Sequence, residues 1–179
     1  MKKIFFLLPF VIIGLCFASF KSEKVKPGKE KEIKWYTFKE AQELNKKTPK
    51  KFLIDCYTNW CGWCKKMDAT TFKNEVIAKY VNEKYYAIHF NAETKDTINF
   101  NGKDYTNKSG THSLAIYLLN KQLSYPNIVY LDEDLNLLQA VPGYLDAKGF
   151  EPVIKYFGEE ANKTIPWPDY QLNFVGDVK

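Results

Sequence analysis

Phe52-Leu53-Ile54-Asp55-Cys56-Tyr57-Thr58-Asn59-Trp60-Cys61-Gly62-Trp63-Cys64-Lys65-Lys66-Met67 decides how the rest of this chain is read. The stretch opens on an apolar run of strand character and closes on residues that wind readily into helix. Cysteines two residues apart, placed where strand gives way to helix, suit reversible disulfide chemistry. Cys61 falls at the expected helix N-terminus, where free N–H groups and the helix dipole favour thiolate over thiol. Cys64 lies one turn on, within reach to close a disulfide. Cys61 is therefore the expected attacking thiol and Cys64 the resolving one.

The same spacing is also half of a zinc site. Zinc would need further ligands, and the candidates beyond the N-terminal leader are Cys56, His89 and His112, none in a second paired spacing. The expectation is no metal and no dissociable cofactor. A purely structural disulfide would close a tiny loop and add little stability.

The chain has 179 residues, 45% of them hydrophobic and 16% aromatic, enough for one domain with a real core. The formal net charge is +5, but Lys2 and Lys3 belong to the leader and the remainder is spread over a mixed-sign surface. There is no basic block, and the basic residues are all lysine, so bidentate phosphate clamps are absent. Nucleic acid is not an expected partner, and a monomer is expected.

Lys2 and Lys3 precede an apolar run from Ile4 to Phe17, with Cys16-Phe17-Ala18 at a cleavage position. Residues 1–18 read as an export signal, too short to span a bilayer comfortably. An uncleaved anchor through residues 4–20 and lipidation at Cys16 are the alternatives. Export implies a periplasmic or cell-envelope location, where a partner must set the state of a dithiol. Residues 19–32 read as a solvated linker, 33–158 as the domain and 159–179 as a C-terminal tail, extended over Ile165 to Tyr170 and lying against the domain.

Within the domain, Ile33 to Tyr36 reads as a strand, and Phe38 to Lys47 as a helix with Phe38, Ala41 and Leu44 on one face. Strand Phe52–Tyr57 follows, then the helix through Met67 with a break across Asp68 to Thr71. Asn74 caps a further helix carrying Val76, Ile77, Tyr80 and Val81. Tyr85 to Phe90 is the next strand. Residues 92–110 are polar, and Asn101-Gly102 between short runs predicts a two-residue hairpin turn. A helix over 111–120 turns Leu114, Ala115, Tyr117 and Leu118 inward. Strands 127–131 and 135–141 flank an acidic turn. A helix from Asp146 to Phe157 is expected to be irregular in its first turns because of Pro152.

Leu53 to Met67 resembles the active-site region of the thioredoxin superfamily. Trp60-Cys61-Gly62 is shared with thioredoxin, whereas Trp63 replaces that family's proline. Cys-Lys-Lys-Met, followed by Thr70-Thr71-Phe72 and Asn74-Glu75-Val76, is similar to a secreted branch and to the C-terminal domain of transmembrane thiol:disulfide interchange reductases. The resemblance covers roughly residues 33 to 157 and implies a thioredoxin fold, a mixed sheet flanked by helices, with residues 92–110 as an insertion after the third strand. The bland reading of that insertion is a surface excursion; partner contact is the alternative.

The resemblance also assigns roles. Asp55 matches a buried aspartate that accepts the proton of the resolving Cys64. His89 falls where thioredoxin has a lysine facing that aspartate, which makes it a possible proton relay, although a strand histidine is commonly a satisfied core group. Tyr125-Pro126 matches the superfamily's cis-proline, whose neighbour pairs with an extended substrate. Gly143 matches a glycine beside the same surface. Trp60, Trp63, Tyr125 and Pro126 are the expected substrate-binding residues, with Cys61, Cys64 and Asp55 catalytic. Cys56 points to the opposite face of its strand as an inert thiol. The implied function is an exported thiol:disulfide oxidoreductase that reduces exported proteins, with protein thiols and a membrane or exported redox partner. Oxidase or isomerase activity, or a non-catalytic binding module or metal carrier, are the alternatives.

Overall fold

A computed structural model describes residues 31–179; the expected export signal and most of the expected linker lie outside the described residues. A five-stranded sheet has the order β1-β3-β2-β6-β7, made from β1 (Trp35–Tyr36), β2 (Lys51–Tyr57), β3 (Tyr85–Asn91), β6 (Asn127–Leu131) and β7 (Leu137–Pro142). β3 runs parallel to β1 and β2, while β6 and β7 are antiparallel to their neighbours. The parallel pair is joined by α2 (Gly62–Ala69), a 3-10 turn at Thr71–Lys73 and α3 (Glu75–Lys84). Crossover connections of this kind are what parallel pairing requires.

Alternation along β2 sorts the core into two layers. Phe52, Ile54 and Cys56 pack with Phe38 and Ala41 of α1 (Phe38–Asn45) and with Leu114, Ala115 and Leu118 of α4 (Ser113–Leu118). Leu53 faces the other way, onto Met67 of α2, Ile77, Ala78 and Val81 of α3, and Phe150, Val153 and Ile154 of α5 (Ala147–Gly158). Asp55 shares the Leu53 face. Asp55, the expected proton acceptor, thus points toward the helix that carries the cysteines, and Cys56 points away.

Local signals place the helices. Thr37 and Glu40 form a reciprocal capping box on α1, and Asn74 accepts from the Val76 and Ile77 amides at the start of α3. Thr70, with φ −122° and ψ −71°, ends α2 where the break is expected. The insertion holds the hairpin β4 (Ile98–Phe100) and β5 (Lys103–Tyr105), with Asn101 and Gly102 at φ 49° and 76° as the turn requires.

The structure corrects several expectations. Leu44 and Tyr117 are exposed, because α1 turns only Phe38 and Ala41 inward and α4 only Leu114, Ala115 and Leu118. α5 is continuous through Pro152, its start secured by the Asp146 carboxylate accepting the Gly149 amide. The tail is not extended. It forms a 3-10 turn at Ala161–Lys163 and a helix α6 (Trp167–Asn173). Pro166 and Pro168 lie at its start, where a missing N–H costs nothing. Trp167 and Tyr170 pack on Tyr156, at 5.1 and 5.0 Å between ring centroids. The chain end is held further by Glu151 of α5, a buried carboxylate that accepts the amides of Asp177 (2.7 Å) and Val178 (2.9 Å).

Candidate active site

β2 ends at Tyr57, and the chain turns through Thr58-Asn59-Trp60, closed by the Cys61 amide donating to the Thr58 carbonyl at 3.1 Å. Cys61 is the N-cap of α2, and its sulfur accepts the Cys64 amide at 3.0 Å. The two cysteines form a disulfide with their Cα atoms 5.3 Å apart. Gly62 and Trp63 fill the first turn between them. Cys61 is 5% exposed and Cys64 2%, so the sulfurs are reached from a restricted side.

Asp55 and His89 are register partners across β2 and β3. His89 Nε2 lies 3.1 Å from an Asp55 oxygen and 3.4 Å from one on Asp68. Both contacts lie within ion-pair distance, so a protonated imidazole is attracted to each carboxylate. Asp68 lies one turn after Cys64 on the same face of α2. The three groups therefore form a chain, from a buried carboxylate through a half-buried imidazole to a carboxylate on the cysteine-bearing helix. Tyr57 stacks on the imidazole at 3.9 Å and Trp35 lies at 5.2 Å, surfaces that suit a cation.

Burial alone would lower the His89 pKa, but Asp55 and Asp68 outweigh it and push it up to about 9. Burial raises Asp55 above the usual carboxylate range, opposed in part by His89. The sequence reading anticipated both residues but not Asp68, Tyr57 or Trp35. The spacing of Asp68 from Cys64 was the available signal for the first.

Two of the three residues considered as zinc ligands lie apart from the site. Cys56 faces the other layer, and His112 caps α4, accepting the Leu114 amide at Nδ1 while Nε2 faces the Asp96 carbonyl at 3.0 Å. Asp55, Asp68 and His89 do bring donor atoms within 4.8 Å of one another. With the imidazole protonated, the same three groups form an ion triad.

The rim of the disulfide is aromatic. Trp60 is 68% exposed and Trp63 57%. Trp60 lies edge-on to Tyr125 at 6.0 Å and donates its indole N–H to Glu93 at 2.9 Å. Tyr125-Pro126 is cis, and the Pro126 carbonyl accepts the amide of Gly143, whose φ is +98°. The next residue, Tyr144, packs on Trp63 at 5.1 Å, with Lys66 Nζ 4.8 Å above the Trp63 ring and 5.0 Å above Tyr144. Tyr144, Lys66 and Glu93 were not anticipated, because each meets its tryptophan through the fold or the helix face.

A family model described as a thioredoxin-like domain matches residues 38–158. The thiol:disulfide interchange protein DsbD of Yersinia enterocolitica is 27% identical over 133 residues, 69% of this chain and 20% of that protein. The chain therefore spans about a fifth of the length of that relative. A thioredoxin from Thermus thermophilus aligns with a TM-score of 0.54 at 13% identity, covering 81% of this chain and 99% of that one. The DsbH oxidoreductase aligns at 0.54 and 15%, covering 77% and 92%. A thioredoxin-fold protein from Helicobacter pylori aligns at 0.52 and 19%, covering 69% and 79%. These likenesses speak for the fold. The chain belongs to the thioredoxin-like domain family and carries, as Cys61 and Cys64, the cysteine pair of that family's thiol:disulfide oxidoreductases.

Proposed function

We propose that the protein is an exported thiol:disulfide oxidoreductase that reduces disulfides in exported proteins. The observation that carries this reading is a Cys61–Cys64 disulfide at a helix start, on the helix whose Asp68 contacts His89 beside the buried Asp55. In the dithiol form, the Cys61 thiolate attacks one sulfur of a substrate disulfide, and the other substrate sulfur leaves as a thiolate that takes up a proton. Asp55 then accepts the Cys64 proton, and the Cys64 sulfur attacks Cys61 in the mixed disulfide. The second substrate thiol departs with that proton, leaving the Cys61–Cys64 disulfide. An exported or membrane-bound reductant must return two electrons and two protons for the next cycle. The export signal expected over residues 1–18 supports the location, the similarity to part of DsbD supports thiol:disulfide interchange, and the resemblance of the Cys61–Met67 region to interchange reductases supports the reducing direction.

The test is the reduction potential of the Cys61–Cys64 pair in glutathione buffers, on protein lacking residues 1–18. A value near about −270 mV is expected for an electron donor, and one well above about −200 mV would overturn the reducing direction in favour of disulfide formation or shuffling. A dithiol that never closes would instead leave a binding module. Replacing both cysteines by serine should abolish the phenotype of an enzyme and spare that of a scaffold.

A further inference from the structure

Trp63, Lys66 and Tyr144 form a platform beside the disulfide. Trp63 lies between the two cysteines in sequence, and Lys66 follows it by one helical turn on the same face of α2. Tyr144 comes from the loop after β7, the loop that also places Gly143 against the cis-proline. The Lys66 ammonium lies over both rings, at 4.8 and 5.0 Å. Ring faces attract a cation without neutralising it. Among the described residues Lys66 has no ion-pair partner, although Lys46, Lys51, Lys73, Lys155 and Lys163 each pair with a carboxylate. The lysine is also exposed.

The other side of the rim has the opposite sign. There the Glu93 carboxylate accepts the Trp60 indole N–H at 2.9 Å. Asn91 and Asn107 hold the Glu93 backbone, at 2.9 and 3.0 Å. The two tryptophans that bracket Cys61 in sequence thus carry opposite charges, a carboxylate on Trp60 and an ammonium over Trp63.

We propose that Lys66 is a specificity-determining residue, selecting substrate segments with an acidic side chain close to the reacting cysteine. The occupant is an extended polypeptide whose carboxylate reaches the ammonium over Trp63 and Tyr144. Charge complementarity carries the proposal: a cation is held in place at the entrance and has no carboxylate of its own. This inference rests on the oxidoreductase reading above.

The test uses disulfide-linked peptides that differ only in glutamate, glutamine or lysine beside the cysteine, with kcat/KM measured for the full chain. The glutamate peptide should be preferred to the lysine peptide by about five-fold at low salt, as an exposed charge contact allows. The preference should shrink in 0.5 M salt, where the screening length falls to a few ångströms, about 4 Å. Lys66→Gln should bring the ratio to near one and Lys66→Glu should invert it. Equal ratios in wild type and Lys66→Glu would overturn the proposal. Turnover of all peptides without charge preference refutes only the role of Lys66. An absence of mixed disulfides between the Cys64→Ser protein and every peptide refutes the oxidoreductase reading, and this inference with it.

Discussion

Replacing His89 with glutamine removes the cation between Asp55 and Asp68 and gives a pH-dependent loss of stability. The folded protein raises the His89 pKa from 6.5 to about 9. At 1.36 kcal/mol per pH unit, that rise corresponds to an upper limit of roughly 3.4 kcal/mol. Two effects reduce it. The imidazole is 29% exposed, and solvent screens its contacts. The Asp55 carboxyl is itself raised by burial, so keeping it ionised opposes folding. A net contribution of about 1–2 kcal/mol is expected after these discounts.

The sign follows from linkage. A histidine whose folded pKa lies above its unfolded value contributes fully below about pH 6.5 and loses that contribution as the pH rises through about 9. Urea unfolding of the oxidised protein, wild type against His89→Gln, should show the largest deficit at pH 6 and convergence near pH 10. A variant as stable as wild type at pH 6 would refute the reasoning. So would a deficit that stays constant to pH 10, because it would reflect lost stacking on Tyr57 and Trp35 rather than charge.

Other perturbations separate the remaining roles. Asp55→Asn should slow release of the mixed disulfide at pH 7 by at least about ten-fold, as loss of a general base implies. Quenched-flow detection of the mixed disulfide checks this, and unchanged turnover from pH 6 to 9 would count against the base. Gly143→Ala forces a side chain into a φ of +98°, although no atom crowds the new Cβ. It should cost about 1 kcal/mol, read as a lower thermal midpoint, with a raised KM from displacement of the loop beside Pro126. Glu151→Gln removes the charge that accepts the Asp177 and Val178 amides and should cost about 1–3 kcal/mol. Hydrogen exchange at those amides should accelerate; unchanged protection would show that Tyr156, Trp167 and Tyr170 hold the tail by themselves.

The fold was legible wherever local chemistry and periodicity agree. The apolar run before Asp55, the cap at Asn74, the turn at Asn101-Gly102 and the break after Asp68 each act within a few residues, and each is found in the structure. The tail misled because what shapes it is not local pattern but Pro166 and Pro168 at a helix start and packing on the domain. Tyr156 of α5 supplies the aromatic partner on which Trp167 rests. Tyr117 misled because it lies on a short helix whose register only packing selects.

The disulfide pair and the opposition of Asp55 and His89 were readable in advance, the first from spacing and the second through resemblance. By itself, the sequence determined the redox pair, the strand–helix junction that presents it and the order of elements around it, because those depend on neighbours along the chain. The tertiary structure alone decided that Asp68 completes the triad, that Glu93 holds Trp60, and that Lys66 lies over Trp63 and Tyr144 with no counter-charge among the described residues. Most of those contacts join residues far apart in sequence. Charge and ring-face attractions act over a few ångströms, so their partners exist only after the sheet has closed and α2 has docked.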